Sequence, residues 1–127
     1  MNLLKWRSKT FFAALSLVLA APFVGCHSYH VEATVENETG NALQLLEVDY
    51  PNATFGANSL AAGATLRYQF QIQGRGPLKV LYSTQNSDQP LRVIVGPEVH
   101  ERQEGHLHIL LLPDGRARFE TDLTPRN

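Results

Sequence analysis

Thr65-Leu66-Arg67-Tyr68-Gln69-Phe70-Gln71-Ile72-Gln73 decides the fold. Leu66, Tyr68, Phe70 and Ile72 fall on one side of an extended chain, and Arg67, Gln69, Gln71 and Gln73 on the other. Strict alternation of this kind fits a strand with one face on a core and one in water. A helix would scatter the same residues around its axis. Working outward, Gly74-Arg75-Gly76-Pro77 is expected to break the strand, and Leu78, Val80 and Tyr82 resume the alternation up to Ser83. On the other side, Pro51 to Ala64 is rich in Pro, Asn, Gly and Ala, and reads as a long connection or sheet crossover.

The same period recurs through the chain. Tyr29 to Glu36 puts Tyr29, Val31, Ala33 and Val35 on one face. Asn37 to Asn41 is a turn cluster, and Ala42 to Tyr50 is a second strand with Leu43, Leu45 and Val48 inward, allowing for a bulge. After the polar loop Thr84 to Pro90, Leu91 to Val95 is a short strand stopped by Gly96-Pro97. Glu98 to Gly105 reads as charged and irregular. His106 to Leu112 and Arg116 to Asp122, with Ala117 and Phe119 inward, flank Pro113-Asp114-Gly115 as a hairpin. About seven strands at short spacing predict an all-β fold, an antiparallel β-sandwich of the immunoglobulin-like kind, with a small barrel as the alternative. Trp6 lies outside the strands and there is one cysteine, so the Cys-Trp-Cys core of antibody domains is excluded.

The 127 residues suffice for one domain. Residues 1–25 have a different composition. Lys5, Arg7 and Lys9 precede an apolar run from Phe11 to Ala21, with no acid among them. That run is shorter than the roughly 20 residues a membrane span needs, and matches the core of a signal peptide. The residues alone leave open cleavage near Ala20-Ala21, ahead of Pro22, or an uncleaved interfacial helix. Those three cations belong to the segment, so the rest of the chain has eight basic residues against 12 acids, a net charge near −4. No basic stripe exists, so nucleic acid is not an expected partner. An acidic domain is not drawn to anionic lipid either.

Phe23-Val24-Gly25-Cys26 resembles the bacterial lipobox, with Phe23 where that pattern prefers Leu. The resemblance implies cleavage after Gly25, diacylglycerol on the Cys26 sulfur, and N-acylation. Acyl chains contribute about 0.8 kcal/mol per buried CH₂, so two or more make a stable anchor. His27 in place of Asp implies the outer membrane, with the domain facing the periplasm. Four further stretches are similar to small bacterial envelope lipoproteins of uncharacterised function. They are Val35-Glu36-Asn37-Glu38-Thr39-Gly40, Tyr50-Pro51-Asn52-Ala53-Thr54-Phe55-Gly56, Leu60-Ala61-Ala62-Gly63 and Leu110-Leu111-Leu112-Pro113-Asp114-Gly115. The expected organisation is a cleaved signal helix over 1–25, a short tether over 26–28, a sandwich over 29–123 and a tail over 124–127. Three tether residues reach about 10 Å, so the domain is expected to sit against its membrane.

Histidine carries the main chemical alternative. His106 and His108 share one face of a strand, a spacing that lets two imidazoles take one Zn²⁺ or Cu²⁺ ion, and His100, Glu101 and Glu104 lie just upstream. A metal site of His100, His106 and His108 is therefore one expectation; a solvated strand face is the other. The carboxylate pairs Glu47/Asp49 and Glu120/Asp122 read as exposed faces, not as an acid and base in contrasting environments. No Gly-x-Ser-x-Gly and no phosphate-binding glycine loop occurs. Asn37 and Asn52 head glycosylation sequons that turns supply by chance. Tyr50 and Phe55 are expected to plug an open end of the sandwich. The sequence thus points to a non-enzymatic envelope module, without a cofactor, that contacts the membrane through Cys26 and another envelope protein or polymer through its domain. The alternative is a periplasmic transition-metal-binding protein.

Overall fold

A computed structural model of the chain describes residues 29–85 and 91–125. Residues 1–25, Cys26, the tether 26–28, most of the Thr84–Pro90 loop and the last two residues of the tail lie outside them. The described chain forms eight strands: β1 (Val31–Asn37), β2 (Leu43–Tyr50), β3 (Ala53–Ala57), β4 (Thr65–Phe70), β5 (Arg75–Thr84), β6 (Arg92–His100), β7 (Gln103–Leu111) and β8 (Ala117–Pro125). They build two four-stranded sheets, ordered β4-β1-β7-β8 and β3-β2-β5-β6. The fold is a β-sandwich.

Alternation places the core between the sheets. Val31, Ala33 and Val35 of β1 and Leu107, Ile109 and Leu111 of β7 are buried from one side. Leu43, Leu46 and Val48 of β2 and Leu78, Val80 and Tyr82 of β5 meet them from the other. Each such aliphatic side chain contributes about 1.5–3 kcal/mol when fully buried. The two open sides of the sandwich are sealed differently. On one, Phe55 of β3 stacks on Tyr68 of β4 with ring centroids 4.6 Å apart, and Tyr50 and Phe70 extend the cluster at 4.2 Å. The expected aromatic plug thus joins two edge strands. On the other side, Gly96 of β6 lies under the Phe119 ring of β8, where an added Cβ would come within 2.6 Å of it.

Several sequence expectations need correction. The strands number eight because β3 arises inside the 51–64 connection. Its Ala-Thr-Phe-Gly-Ala sequence has weak strand preference, yet pairing with β2 and burial of Phe55 hold it. The sandwich is also not wholly antiparallel: β1 and β7 run parallel, Val31 opposite Gly105 through Asn37 opposite Leu111. Side-chain alternation is the same for either direction, so it carries no record of it. In β2 a register shift between Leu43 and Leu45 turns Leu46 inward and leaves Leu45 half-buried on the outer face. Leu66, Tyr68 and Phe70 keep their parity, but Tyr68 stands at the sandwich edge and stays 45% exposed.

Neither Gly-Pro pair ends a strand. Gly76-Pro77 lies inside β5 and Gly96-Pro97 inside β6, and the two strands shift register between Pro77 and Lys79. A bulge tolerates proline because it removes the ladder bond that proline cannot make. The charged stretch 98–105 is likewise mostly strand, turned only at Glu101-Arg102, where Arg102 adopts φ 65°. At the C-terminus β8 runs on through Thr124 and Pro125, so the domain extends past residue 123.

Candidate functional site

The parallel pair β1/β7 is the centre of its sheet, and its outward side chains include a row of acids and histidines. Glu32, Thr34 and Glu36 alternate with buried residues on β1, and His106 and His108 do so on β7. Register sets Glu32 beside His106 and Thr34 beside His108. Across β7, His106 faces Asp122 and His108 faces Glu120 of β8. His108 is therefore held between two carboxylates, its Nε2 3.3 Å from Glu36 Oε2 and its Nδ1 3.4 Å from Glu120 Oε2. His106 lies farther from Glu32, at 3.9 Å, with both side chains about two-thirds exposed. Pairs this accessible are screened by solvent and contribute little to stability.

At the end where β1 begins, this face opens into a shallow depression of about 460 Å³, lined by His30, Glu32, Glu104, His106, Asp122 and Thr124 around Gly105. Gly105 has φ 133°, and a Cβ there would run into the Asp122 carbonyl. A glycine is required, and its missing side chain leaves the floor bare.

His100 does not join His106 and His108. It ends β6, which belongs to the opposite sheet, and its Nδ1 lies 3.0 Å from the Glu101 carbonyl. Its backbone N–H donates to Gln103 Oε1 at 2.9 Å. Among the described residues no group of three or more His, Cys, Asp or Glu side chains comes together to hold a metal ion. The physical reason is the sheet switch at Glu101-Arg102, which sends the two imidazole-bearing strands into different layers. Cys26, the expected lipidation site, lies outside the described residues.

The other singled-out residues have structural partners. Asp49 Oδ1 accepts from Thr54 Oγ1 at 2.7 Å and ties β2 to β3. Burial raises the hydroxyl pKa of Tyr50, with a smaller push from Tyr68. Asn37 is fully buried, so its sequon amide is closed to modification in the folded chain. Asn52 sits exposed in a turn with φ 69°, its amide donating to the Gln73 carbonyl.

Two features escaped the sequence reading. One is the structural role of Asn37, whose signal was an Asx residue leading the turn cluster. The other is the outer face of the β3-β2-β5-β6 sheet, where Val93 and Val95 are 56% and 63% exposed. Its signal was the unbroken run Val93-Ile94-Val95, apolar on both faces of one strand.

No protein-family model matches the chain, and no curated protein does. Among solved structures it is similar to the NMR structure of a protein from Eubacterium rectale, with a TM-score of 0.51 and 11% identity. The match covers 73% of this chain and 88% of that one. At that identity the likeness concerns the fold alone.

Proposed function

We propose that this chain is a non-enzymatic module of the bacterial cell envelope. Acyl chains on Cys26 hold it to the membrane, and the outer face of its β4-β1-β7-β8 sheet binds another envelope protein or polymer. The observation behind the binding face is the ordered row of Glu32, Glu36, Glu120 and Asp122 around His106 and His108, carried on the sheet's central strands and on β8. Such a row favours a partner that presents basic or hydrogen-bond-donating groups. Its depressions are open to solvent, and its carboxylates are exposed or paired. Nothing in that chemistry separates an acid from a base.

The anchor rests on Phe23-Val24-Gly25-Cys26 and on the short distance from Cys26 to Val31. Five residues span at most about 17 Å, so the depression at the start of β1 lies near the bilayer and the Asn37 end lies away from it. Two measurements test the reading. A photo-crosslinking residue at Thr34, in intact cells, is expected to capture the same envelope component in every preparation. Erratic products or none would remove the binding face. An alkyne-bearing fatty acid fed to the cells is expected to label the wild type and not Cys26→Ala. Equal labelling of both, or of neither, would remove the anchor.

A further inference from the structure

The two outer faces of the sandwich differ in kind. The β4-β1-β7-β8 face is acid-rich, as described. On the β3-β2-β5-β6 face, Val93 of β6 lies beside Leu81 of β5, and Val95 lies beside Lys79. Leu81 in turn lies beside Glu47 of β2, and Lys79 beside Asp49. Leu45, turned outward by the β2 bulge, extends the apolar area. Of the four exposed large hydrophobic residues in the described domain, Leu91, Val93 and Val95 belong to this one strand or its entry. The exposed apolar side chains thus gather along the β6 edge of the face, with Lys79, Glu47 and Asp49 beside them on the central strands. An exposed apolar patch next to charged groups marks an interaction surface.

We infer that this face is where two copies of the chain pack together, sheet on sheet, as a weak two-fold dimer. Three observations select a second copy. First, the face carries both signs of charge. The side chains of Lys79 and Glu47 make no ion pair among the described residues. In a two-fold arrangement each Lys79 can meet the acids of the other copy. The opposite face sets Glu32, Glu36, Glu120 and Asp122 against Arg67 and Arg118, an excess of acid that would oppose pairing with its own copy. Second, a twisted four-stranded face is complementary to another of the same twist, as the two sheets inside the sandwich already are. Third, size fits a weak pair. Four strands about 4.8 Å apart and six residues of about 3.3 Å give a face of about 400 Å² per copy. Two such faces fall short of the roughly 1,200–2,000 Å² of stable complexes and match transient ones.

Two other occupants fit less well. An added β-strand would need the free edge of β6, but Phe119 of β8 lies against Gly96 there. Anionic lipid would meet two acids for one lysine. The inference does not depend on the anchor or on the binding role proposed for the acid-rich face.

The test uses the full chain in intact cells, with a photo-crosslinking residue at Val93, which is exposed and carries no core packing. A product of twice the chain mass is expected, its crosslinked peptides coming from β2, β5 and β6. The same residue at Thr34 should give no self-product. Lys79→Glu is expected to cut the Val93 self-product at least fivefold. Co-expression with a copy carrying Glu47→Lys and Asp49→Lys is expected to restore a mixed pair. A Val93 product joined to another polypeptide or to lipid, no product, or a yield unaffected by Lys79→Glu would each overturn the inference.

Discussion

Asn37 is the one polar side chain fully buried among the described residues, and it ties the far end of the sandwich together. Its amide nitrogen donates to the carbonyls of Asn41, Leu60 and Ala61 at 2.8–3.1 Å. Its side-chain oxygen accepts from the backbone N–H and the hydroxyl of Thr39. Its backbone N–H donates to the Ala64 carbonyl and its carbonyl accepts from Gly63. The turn 37–41 and the stretch 60–64, distant in sequence, are therefore cross-linked by one residue. Asn37→Ala strips partners from buried carbonyls, and unfolding in urea is expected to show a loss of about 2–4 kcal/mol. Tyr82 gives a second prediction at this scale. Burial raises its pKa, with Arg92 lowering it and Asp114 raising it by lesser amounts. The folded state thus holds the proton more tightly than the unfolded chain does. Stability from this group is complete below the unfolded value near 10 and is lost as pH rises through the folded value. Melting temperature should fall across that alkaline range, and Tyr82→Phe should flatten the fall. An equal slope in both proteins would contradict the assignment.

Strands of regular alternation were legible from sequence, and those shaped by backbone irregularity were not. β1 and β5 bury the sides expected of them, because one period-2 pattern fixes one inward face. β4 keeps the expected parity but, at the sandwich edge, buries only Phe70 of it fully. β2 shows the limit. Leu45 and Leu46 are adjacent leucines, and composition gives no sign of which points inward once a bulge intervenes. The bulge makes a sharp contrast. Leu46→Gln places an amide in the core and is expected to cost about 3 kcal/mol or more, whereas Leu45→Gln should cost less than about 1 kcal/mol. Thermal melts of the two variants check the order. The strand β3 was missed for a different reason: its stability comes from Phe55 and from pairing with β2, which are tertiary contacts. The parallel β1/β7 pair was invisible because pairing direction leaves no mark on burial.

At the scale of the molecule, the sandwich has an acid-rich face, a face with exposed valines, and two ends that the proposed anchor would make distinct. The acid-rich face was half legible. The sequence put His106 and His108 on one outward side of a strand, but Glu32 and Glu36 reach them across more than 70 residues of chain, through a pairing that no local pattern announces. His100 was grouped with them by nearness in sequence, and a two-residue turn between sheets separated it. The proposed function makes the first residues after the tether decisive, since they fix which end of the sandwich meets the membrane. Mass spectrometry of the N-terminal peptide of the protein purified from membranes tests this most directly. The account predicts a chain that begins at Cys26, with its sulfur carrying diacylglycerol and its amine acylated. A chain that begins at another residue, or an unmodified Cys26, would contradict it.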